Sequence, residues 1–293
     1  MNTFDRIVII FNPQSTGDGP TMAAELAQQL KAENVAPIEL IETEYAGHAT
    51  KIAETNAKTG HPLIVSVSGD GGYNEVINGV MQAENPKATA AVLAAGNAND
   101  HARVMQDKPL FELIKAGKKR HIDLLQMTVV SAGDSHQSRY AHSYIGFGLT
   151  PTVALELEKG AKGSISEITT TLKTFGQAEP FELVYPNDGK VEIDSLIFAN
   201  ISEMAKVATL SDEGAVNDGL FEVITIPHVS KARAAYYAVK AAVTSLGEQP
   251  SVRSFEFETL KAMPAQLDGE LWELKEPARI VIRCQKKALQ TLA

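Results

Sequence analysis

The stretch from Leu63 to Met81, LIVSVSGDGGYNEVINGVM, restricts the fold more than any other part of the chain. Leu63 to Val67 is a short apolar, β-branched run of buried-strand type. Ser68-Gly69-Asp70-Gly71-Gly72 is a turn suited to glycine-rich backbone. Glu75, Val76, Ile77, Val80 and Met81 then open a helix with apolar residues at helical spacing. A strand, a glycine turn and a helix start gather backbone N–H groups and the positive end of a helix dipole at one point, which suits a phosphate. The dinucleotide fingerprint is met only in part: Gly69-x-Gly71 fits, but Asn74 stands where the third glycine belongs. The Walker pattern is absent from the chain. Asp70 is the unusual residue, since a carboxylate in such a cradle repels a phosphate unless a cation or proton intervenes. It points either to a nucleotide bound with Mg²⁺ and an acid–base task, or to a βα turn in which Asp70 bonds its own backbone.

The first half repeats this unit. Arg6 to Phe11 reads as a buried strand ending in the loop Asn12 to Pro20, and a helix follows from about Thr21 to Glu33. Pro37 to Glu42 is a strand ending at Thr43, and Gly47-His48-Ala49 starts a helix through Ala57. Ala90 to Ala94 is a further strand, ending in Ala95-Gly96-Asn97-Ala98-Asn99-Asp100. Such alternation implies a parallel sheet with helices on both faces, and ligands of such sheets bind beyond the carboxyl ends of the strands. The loops at Asn12, Thr43, Gly69 and Gly96 all leave such ends and should converge.

Near Asp123 the period changes. Candidate strands are Leu125–Ser131, Arg139–Phe147, Pro180–Tyr185, Lys190–Asn200, Leu220–Ile226, Ser251–Leu260 and Arg279–Cys284, with a hairpin turn at Asn187-Asp188-Gly189. Helical stretches interrupt at Pro151–Phe175 and Lys231–Leu246. The expected fold is therefore an α/β N-terminal domain, 1–124, followed by an antiparallel β-sandwich, 125–284, and a tail, 285–293, that could pack back on the first domain.

Composition narrows the partners. A net charge of -9 argues against a nucleic-acid binder and against broad adhesion to an anionic membrane. Cys284 is the only cysteine, so neither an intramolecular disulfide nor a cysteine zinc site can form, which fits a reducing compartment. The apolar run Ile7 to Phe11 is too short for a signal peptide, and no run approaches the roughly 18 apolar residues of a membrane span. The expectation is a cytoplasmic protein whose membrane contact, if any, is peripheral and transient.

Asn12-Pro13, Thr43 with Gly47-His48-Ala49, SGDGGYNEVINGVM, Gly96 to Asp100, Asp218-Gly219-Leu220 and Leu267-Asp268-Gly269-Glu270 occur in this order along the chain. Together they resemble the diacylglycerol kinase catalytic-domain family, which includes bacterial lipid kinases and sphingosine and ceramide kinases. The resemblance implies ATP-dependent phosphorylation of a lipid hydroxyl, at a membrane surface, in a cleft between an α/β nucleotide domain and a β-sandwich. It places nucleotide contacts on Asn12, Thr43, Ser68, Gly69, Asp70, Gly71, Gly72, Asn74, Glu75, Gly96 and Asn97. It places Mg²⁺ at Asp218 and at the carbonyls of Ala215 and Leu220. It makes Glu270 the acid–base residue, with Asp268 beside it and Asp70 across the cleft. A homodimer is compatible with it. Asp123 would either position Mg²⁺ or pair with the basic run Lys118–Arg120.

The chain departs from the family pattern in places. Ser68 and Gly72 replace the glycine and threonine of the usual Gly-Gly-Asp-Gly-Thr, Asn97 replaces a threonine, and Ser202 to Gly214 lacks a glycine-rich run. Two alternatives remain at this point: a soluble kinase of NAD kinase or phosphofructokinase type, and a non-catalytic nucleotide-binding protein on the same scaffold. Asp268-Gly269 also reads as a plain hairpin turn.

Overall fold

The computed structural model describes residues 3–14, 18–131, 136–148, 180–186, 189–204, 208–209, 216–228 and 247–293. The chain divides into two compact units, Met1–Leu124 with Lys286–Ala293, and Leu125–Gln285. It passes from one to the other twice, each time inside a strand.

The first unit contains, in chain order, β1 (Arg6–Phe11), α1 (Gly19–Ala32), β2 (Ile38–Glu42), α2 (His48–Ala57), β3 (Pro62–Ser68), α3 (Asp70–Gln82), β4 (Thr89–Ala94), α4 (Asp100–Met105), α5 (Leu110–Ala116) and the start of β5 (Lys119–Val130). The four strands β2-β1-β3-β4 form a parallel sheet in that order. Alternation of side chains along a strand sets the two faces. Ile7, Ile9, Leu63, Val65 and Val67 pack with Ala23, Leu26, Ala27 and Leu30 of α1 and with Leu110, Leu113 and Ile114 of α5. The intervening Val8, Ile10 and Ile64 are equally buried and turn the other way, toward α2 and α3. Those two helices meet closely because α3 carries Gly79, where a Cβ would collide with the carbonyl oxygen of Thr50. The short helices α4 and α5 escaped the sequence reading, since six and seven residues are too few to show a helical period.

The second unit continues β5 and adds β6 (His136–Ala141), β7 (Tyr144–Gly148), β8 (Phe181–Tyr185), β9 (Gly189–Ala199), β10 (Glu203–Met204), β11 (Ala208–Thr209), β12 (Phe221–Pro227), β13 (Ser251–Val252), β14 (Ser254–Thr259), β15 (Met263–Leu267), β16 (Glu270–Leu274) and β17 (Arg279–Leu292). Apart from the small β10-β11 pair, the strands join one eleven-stranded sheet whose main path runs β16-β15-β7-β9-β8-β14-β17-β5-β6. The two layers expected of a sandwich are thus one sheet folded over itself. Its interior holds Phe147, Phe198, Phe221 and Phe257 with Leu125, Met127, Leu183, Leu196, Ile280 and Ile282. Its two terminal strands also meet: the guanidinium of Arg139 on β6 lies 4.8 Å from the ring centroid of Trp272 on β16, a cation–π contact.

Several boundaries moved. The single strand expected over Arg139–Phe147 is broken at His142-Ser143, and the one expected over Arg279–Cys284 continues to Leu292. The turn expected at Asp268-Gly269 joins a paired hairpin, β15–β16. The helices expected over Pro151–Phe175 and Lys231–Leu246, and Asn187-Asp188 of the hairpin turn, lie outside the described residues. Among the described residues no helix is long and apolar enough to cross a membrane.

Candidate functional site

In the first unit β1 lies between β2 and β3, so the chain steps from β1 to β2 on one side and then crosses back to β3 on the other. Ligands of parallel sheets bind at such a switch point, beyond the carboxyl ends of the strands, here β1 and β3. Asn12 follows β1 and the glycine turn follows β3. The side-chain oxygen of Asn12 accepts the Gln14 N–H at 2.9 Å, which shapes the first loop. Thr43 donates its N–H to the Phe11 carbonyl at 2.9 Å and so extends β2 toward the same edge. At the start of α3 the Tyr73 N–H bonds to the Gly69 carbonyl at 3.1 Å. The amides of Asp70, Gly71 and Gly72 precede that bond and by helix geometry face out from the N-terminus. With the helix dipole they suit an anionic group.

The glycine turn is clamped to the loop after β4. Gly69 and Gly96 touch backbone to backbone: a Cβ on Gly69 would lie 3.2 Å from the Gly96 Cα, and one on Gly96 would collide with the Gly69 Cα. Asp70 completes the clamp. Its two carboxylate oxygens accept the N–H groups of Asp100 (2.9 Å) and His101 (3.0 Å), at the start of α4. The carboxylate that looked anomalous beside a phosphate thus serves the backbone of a neighbouring loop rather than its own, a reading the sequence did not offer. Asn99, which sequence reasoning passed over, closes the second loop. It adopts a left-handed φ of 53°, accepts the Gly96 N–H at 3.0 Å and donates to the Gly96 carbonyl at 2.8 Å. Its αL conformation favours asparagine among non-glycine residues. Gly96→Ala should therefore push the two loops apart, lowering stability by roughly 1–3 kcal/mol and weakening nucleotide binding; thermal unfolding and an ATP titration measure the two effects.

The remaining positions expected to contact a nucleotide differ in where their side chains go. Ser68 and Gly72 are complementary: a Cβ at Gly72 would lie 2.6 Å from the Ser68 Cβ and 2.7 Å from its Oγ, so the side chain at 68 fills the space that one at 72 would need. The Ser68 hydroxyl bonds to Ser66 Oγ at 2.7 Å and donates to the Gly69 carbonyl at 2.9 Å. Asn97 is exposed at the tip of its loop. Asn74 and Glu75 face inward. Asn74 is buried and accepts from the Asn78 side chain. Glu75 accepts the Gly47 N–H at 2.9 Å and, through its carbonyl, the Thr50 hydroxyl, so it ties α3 to the start of α2.

In the second unit the Asp-Gly-Glu segment is the hairpin turn between β15 and β16, with Leu267 paired to Glu270. Asp268 and Gly269 have φ of 50° and 98°, as a two-residue turn of this kind requires. Asp268 is fully buried. Its carboxylate accepts the N–H groups of His142 (2.7 Å), Ser143 (2.9 Å) and Tyr144 (2.9 Å). The His142 Nε2 is 3.3 Å away, and the His142 Nδ1 lies 2.7 Å from the Ser143 hydroxyl. This contact set breaks the β6–β7 run and makes Asp268 an anchor for the turn. Glu270, two residues on, is partly exposed.

Asp123 is buried and accepts the Lys287 N–H at 2.6 Å, fixing the C-terminal part of β17 within the first unit. Asp218 is exposed and accepts the Leu220 N–H at 2.8 Å; Ala215 lies outside the described residues. Among the described residues no group of three or more histidine, cysteine or acidic side chains could hold a metal. The Asp218 carboxylate and the Leu220 carbonyl are oxygen donors of the kind a hard cation takes. Burial pushes the nearby Glu222 carboxyl above the usual range, and the charge of Asp218 adds to the rise.

His228 pairs with Asp194, Nδ1 to Oδ1 at 3.0 Å. The hydrogen bond to Asp194 raises the imidazole above its ordinary 6.5, against the effect of burial, and the charges of Asp194 and Glu192 add to the rise. The folded state therefore holds this proton more tightly than the unfolded chain. The pair's contribution is full below pH 6.5 and is lost as pH rises through the folded value. Asp194→Asn should lower the His228 midpoint in an NMR titration and flatten stability against pH in that window.

A sequence model of the diacylglycerol kinase catalytic domain matches residues 6–127. Those residues belong to the diacylglycerol kinase catalytic-domain family. The match spans β1 through most of β5, including both clamped loops. Over 257 residues the chain is 27% identical to a diacylglycerol kinase of Bacillus subtilis (strain 168), covering 83% of this chain and 80% of that one. It is 24% identical over 242 residues to a probable lipid kinase, YegS-like, of Chromohalobacter salexigens, covering 76% and 74%. A solved structure of a putative diacylglycerol kinase from Bacillus anthracis str. Sterne aligns with a TM-score of 0.75 at 21% identity, over 99% of this chain and 97% of that one. A second from the same organism aligns at 0.70 and 17%. These two likenesses establish the fold. The curated relatives are named as diacylglycerol or lipid kinases, and the chain is similar to them over most of its length.

Proposed function

We propose that the protein is an ATP-dependent lipid kinase that transfers the γ-phosphate to the hydroxyl of a diacylglycerol-like or sphingoid lipid at a membrane surface. The observation that carries the reading is the clamp in the first unit. Two loops are locked together through Gly69, Gly96 and the Asp70 carboxylate, so that the α3 amides are fixed in place before any ligand arrives. Phosphoryl transfer asks mainly for positioning and charge neutralisation, and amides held in advance supply both without reorganisation.

The roles divide as follows. The amides of Asp70, Gly71 and Gly72 hold the terminal phosphates, Asn12 and Asn97 donate from the adjoining loops, and Thr43 stands at the end of β2. Asp70 and Asp268 are positioning residues, because their oxygens are taken by backbone N–H groups. Glu270, the acid–base residue by resemblance to the family and partly exposed at the start of β16, takes the proton of the lipid hydroxyl. Asp218, with the carbonyl of Leu220, would hold Mg²⁺, which supplies charge neutralisation near the second unit's residues when bound.

The test is direct. Purified protein with Mg²⁺ and γ-labelled ATP is offered diacylglycerol, monoacylglycerol, phosphatidylglycerol, ceramide and sphingosine in mixed micelles. One lipid class should carry the label. Label on none of them, with ATP bound, would favour a soluble acceptor or a regulatory role.

A further inference from the structure

Three large apolar side chains are exposed among the described residues: Leu40, Tyr45 and Leu260. Tyr45, at 51% exposure, differs from the others in being braced. Its ring stacks on the His48 imidazole, centroids 4.5 Å apart and planes 11° from parallel. The Lys51 ammonium lies 5.1 Å from the ring centroid and donates to the Tyr45 hydroxyl at 3.3 Å. His48 is itself fixed, because its Nδ1 accepts the Glu44 N–H at 3.1 Å; its proton therefore sits on Nε2 when the ring is neutral. His48 and Lys51 are three residues apart, on one face of α2, and meet the tyrosine from the helix side. About half of the residue's surface remains exposed all the same. An aromatic ring braced by two side chains, and still open to solvent, has lost much of its own conformational freedom in advance.

Its place in the fold says what the exposed ring could receive. Tyr45 follows β2 and stands at the same carboxyl edge as the glycine turn after β3, with β1 between. Adjacent strands are about 4.8 Å apart, so two strand spacings separate these loops by about 10 Å. The tie between them is rigid, since the Gly47 N–H bonds to Glu75 in the second turn of α3. A planar, uncharged group joined to a phosphate chain by a sugar matches this separation.

We infer that the exposed ring of Tyr45 is the stacking platform for the nucleobase of the bound nucleotide. The inference rests on the reading of the α3 amides as the phosphate site. Tyr45 contacts the base by its π-face alone, so it raises affinity for purine nucleotides without choosing between them. Lys51 and His48 act through Tyr45 by holding its plane.

Wild type, Tyr45→Ala and Tyr45→Trp are titrated calorimetrically with Mg·ATP and with Mg·tripolyphosphate, which has the phosphates and lacks the base. Tyr45→Ala should weaken ATP about ten- to a hundredfold, as expected for loss of one aromatic–base stack, and leave tripolyphosphate unchanged. Tyr45→Trp should keep ATP affinity, and its added fluorescence, measured over the constant Trp272 background, should be quenched by ATP and not by tripolyphosphate. ATP binding by Tyr45→Ala at wild-type strength overturns the platform and leaves the phosphate site standing. Failure of wild type to bind either ligand overturns the platform and the nucleotide reading together.

Discussion

Glu270→Gln should lower kcat for lipid phosphorylation by roughly 10²–10⁴-fold, the usual contribution of a positioned general base, while ATP affinity stays within about twofold. The substitution keeps the side chain's size and its capacity to hydrogen-bond, and removes its ability to take a proton at neutral pH. Glu270 is partly exposed at the first position of β16, so stability should change by less than about 0.5 kcal/mol, as for a surface site. The contrast with the other two candidate carboxylates sharpens the test. Asp70→Asn would loosen the loop clamp and so change ATP affinity and thermal stability along with rate. An interaction made only in the transition state lowers kcat and kcat/KM equally, whereas a binding interaction appears in KM. If Glu270→Gln keeps more than a tenth of wild-type kcat with the lipid that wild type labels, Glu270 is not the base.

What could be read from residues alone follows the strength of local signals. The parallel strands were legible because Ile7–Phe11 and Leu63–Val67 are continuous apolar runs, and a sheet covered on both faces demands such runs. The helix after the glycine turn was legible by its period. The loops at strand ends were legible. The partners of the acidic side chains were not, because Asp70, Asp268 and Glu270 are all acidic residues beside glycines in sequence and differ in what their oxygens meet. Asp70 meets amides thirty residues away, and Asp268 meets amides about 125 residues away. No spacing rule reaches such partners. The same holds for Ser68 and Gly72. In sequence they are two separate departures from the family pattern, while in space one side chain fills the room left by the other. Asn99 could have been found: an asparagine three residues after a glycine, just before a helix, is a fair signal for a left-handed cap with a side-chain bond to the loop behind it.

Asp268→Ala should be the most destabilising single change in the second unit, at roughly 3–5 kcal/mol, the range seen when one partner of a buried charged network is removed. The loss has a definite origin. Three consecutive backbone N–H groups, of His142, Ser143 and Tyr144, point at one carboxylate inside a fully buried pocket. An alanine leaves them without that acceptor and without access to water, and each unsatisfied buried group costs about 1–3 kcal/mol. Domains of this size have about 5–15 kcal/mol in total, so a large part of the stability is at stake. Urea unfolding followed by Trp272 fluorescence reports on it directly, since the tryptophan sits on β16, the strand that leaves the turn. Asp268→Asn should fall between the two, because one oxygen still accepts while the amide NH₂ confronts a donor. A midpoint for Asp268→Ala within about 1 kcal/mol of wild type would mean that the three amides find water or another acceptor, and the anchoring role would fall. The consequence for catalysis follows from the hairpin. The turn is held in a left-handed conformation at Asp268, and Leu267 and Glu270 are paired across it. Releasing Asp268 frees the register of β16 and with it the direction of the Glu270 side chain. Folded Asp268→Ala, assayed at low temperature, should therefore lose kcat far more than ATP affinity, because the turn that carries Glu270 has lost its anchor.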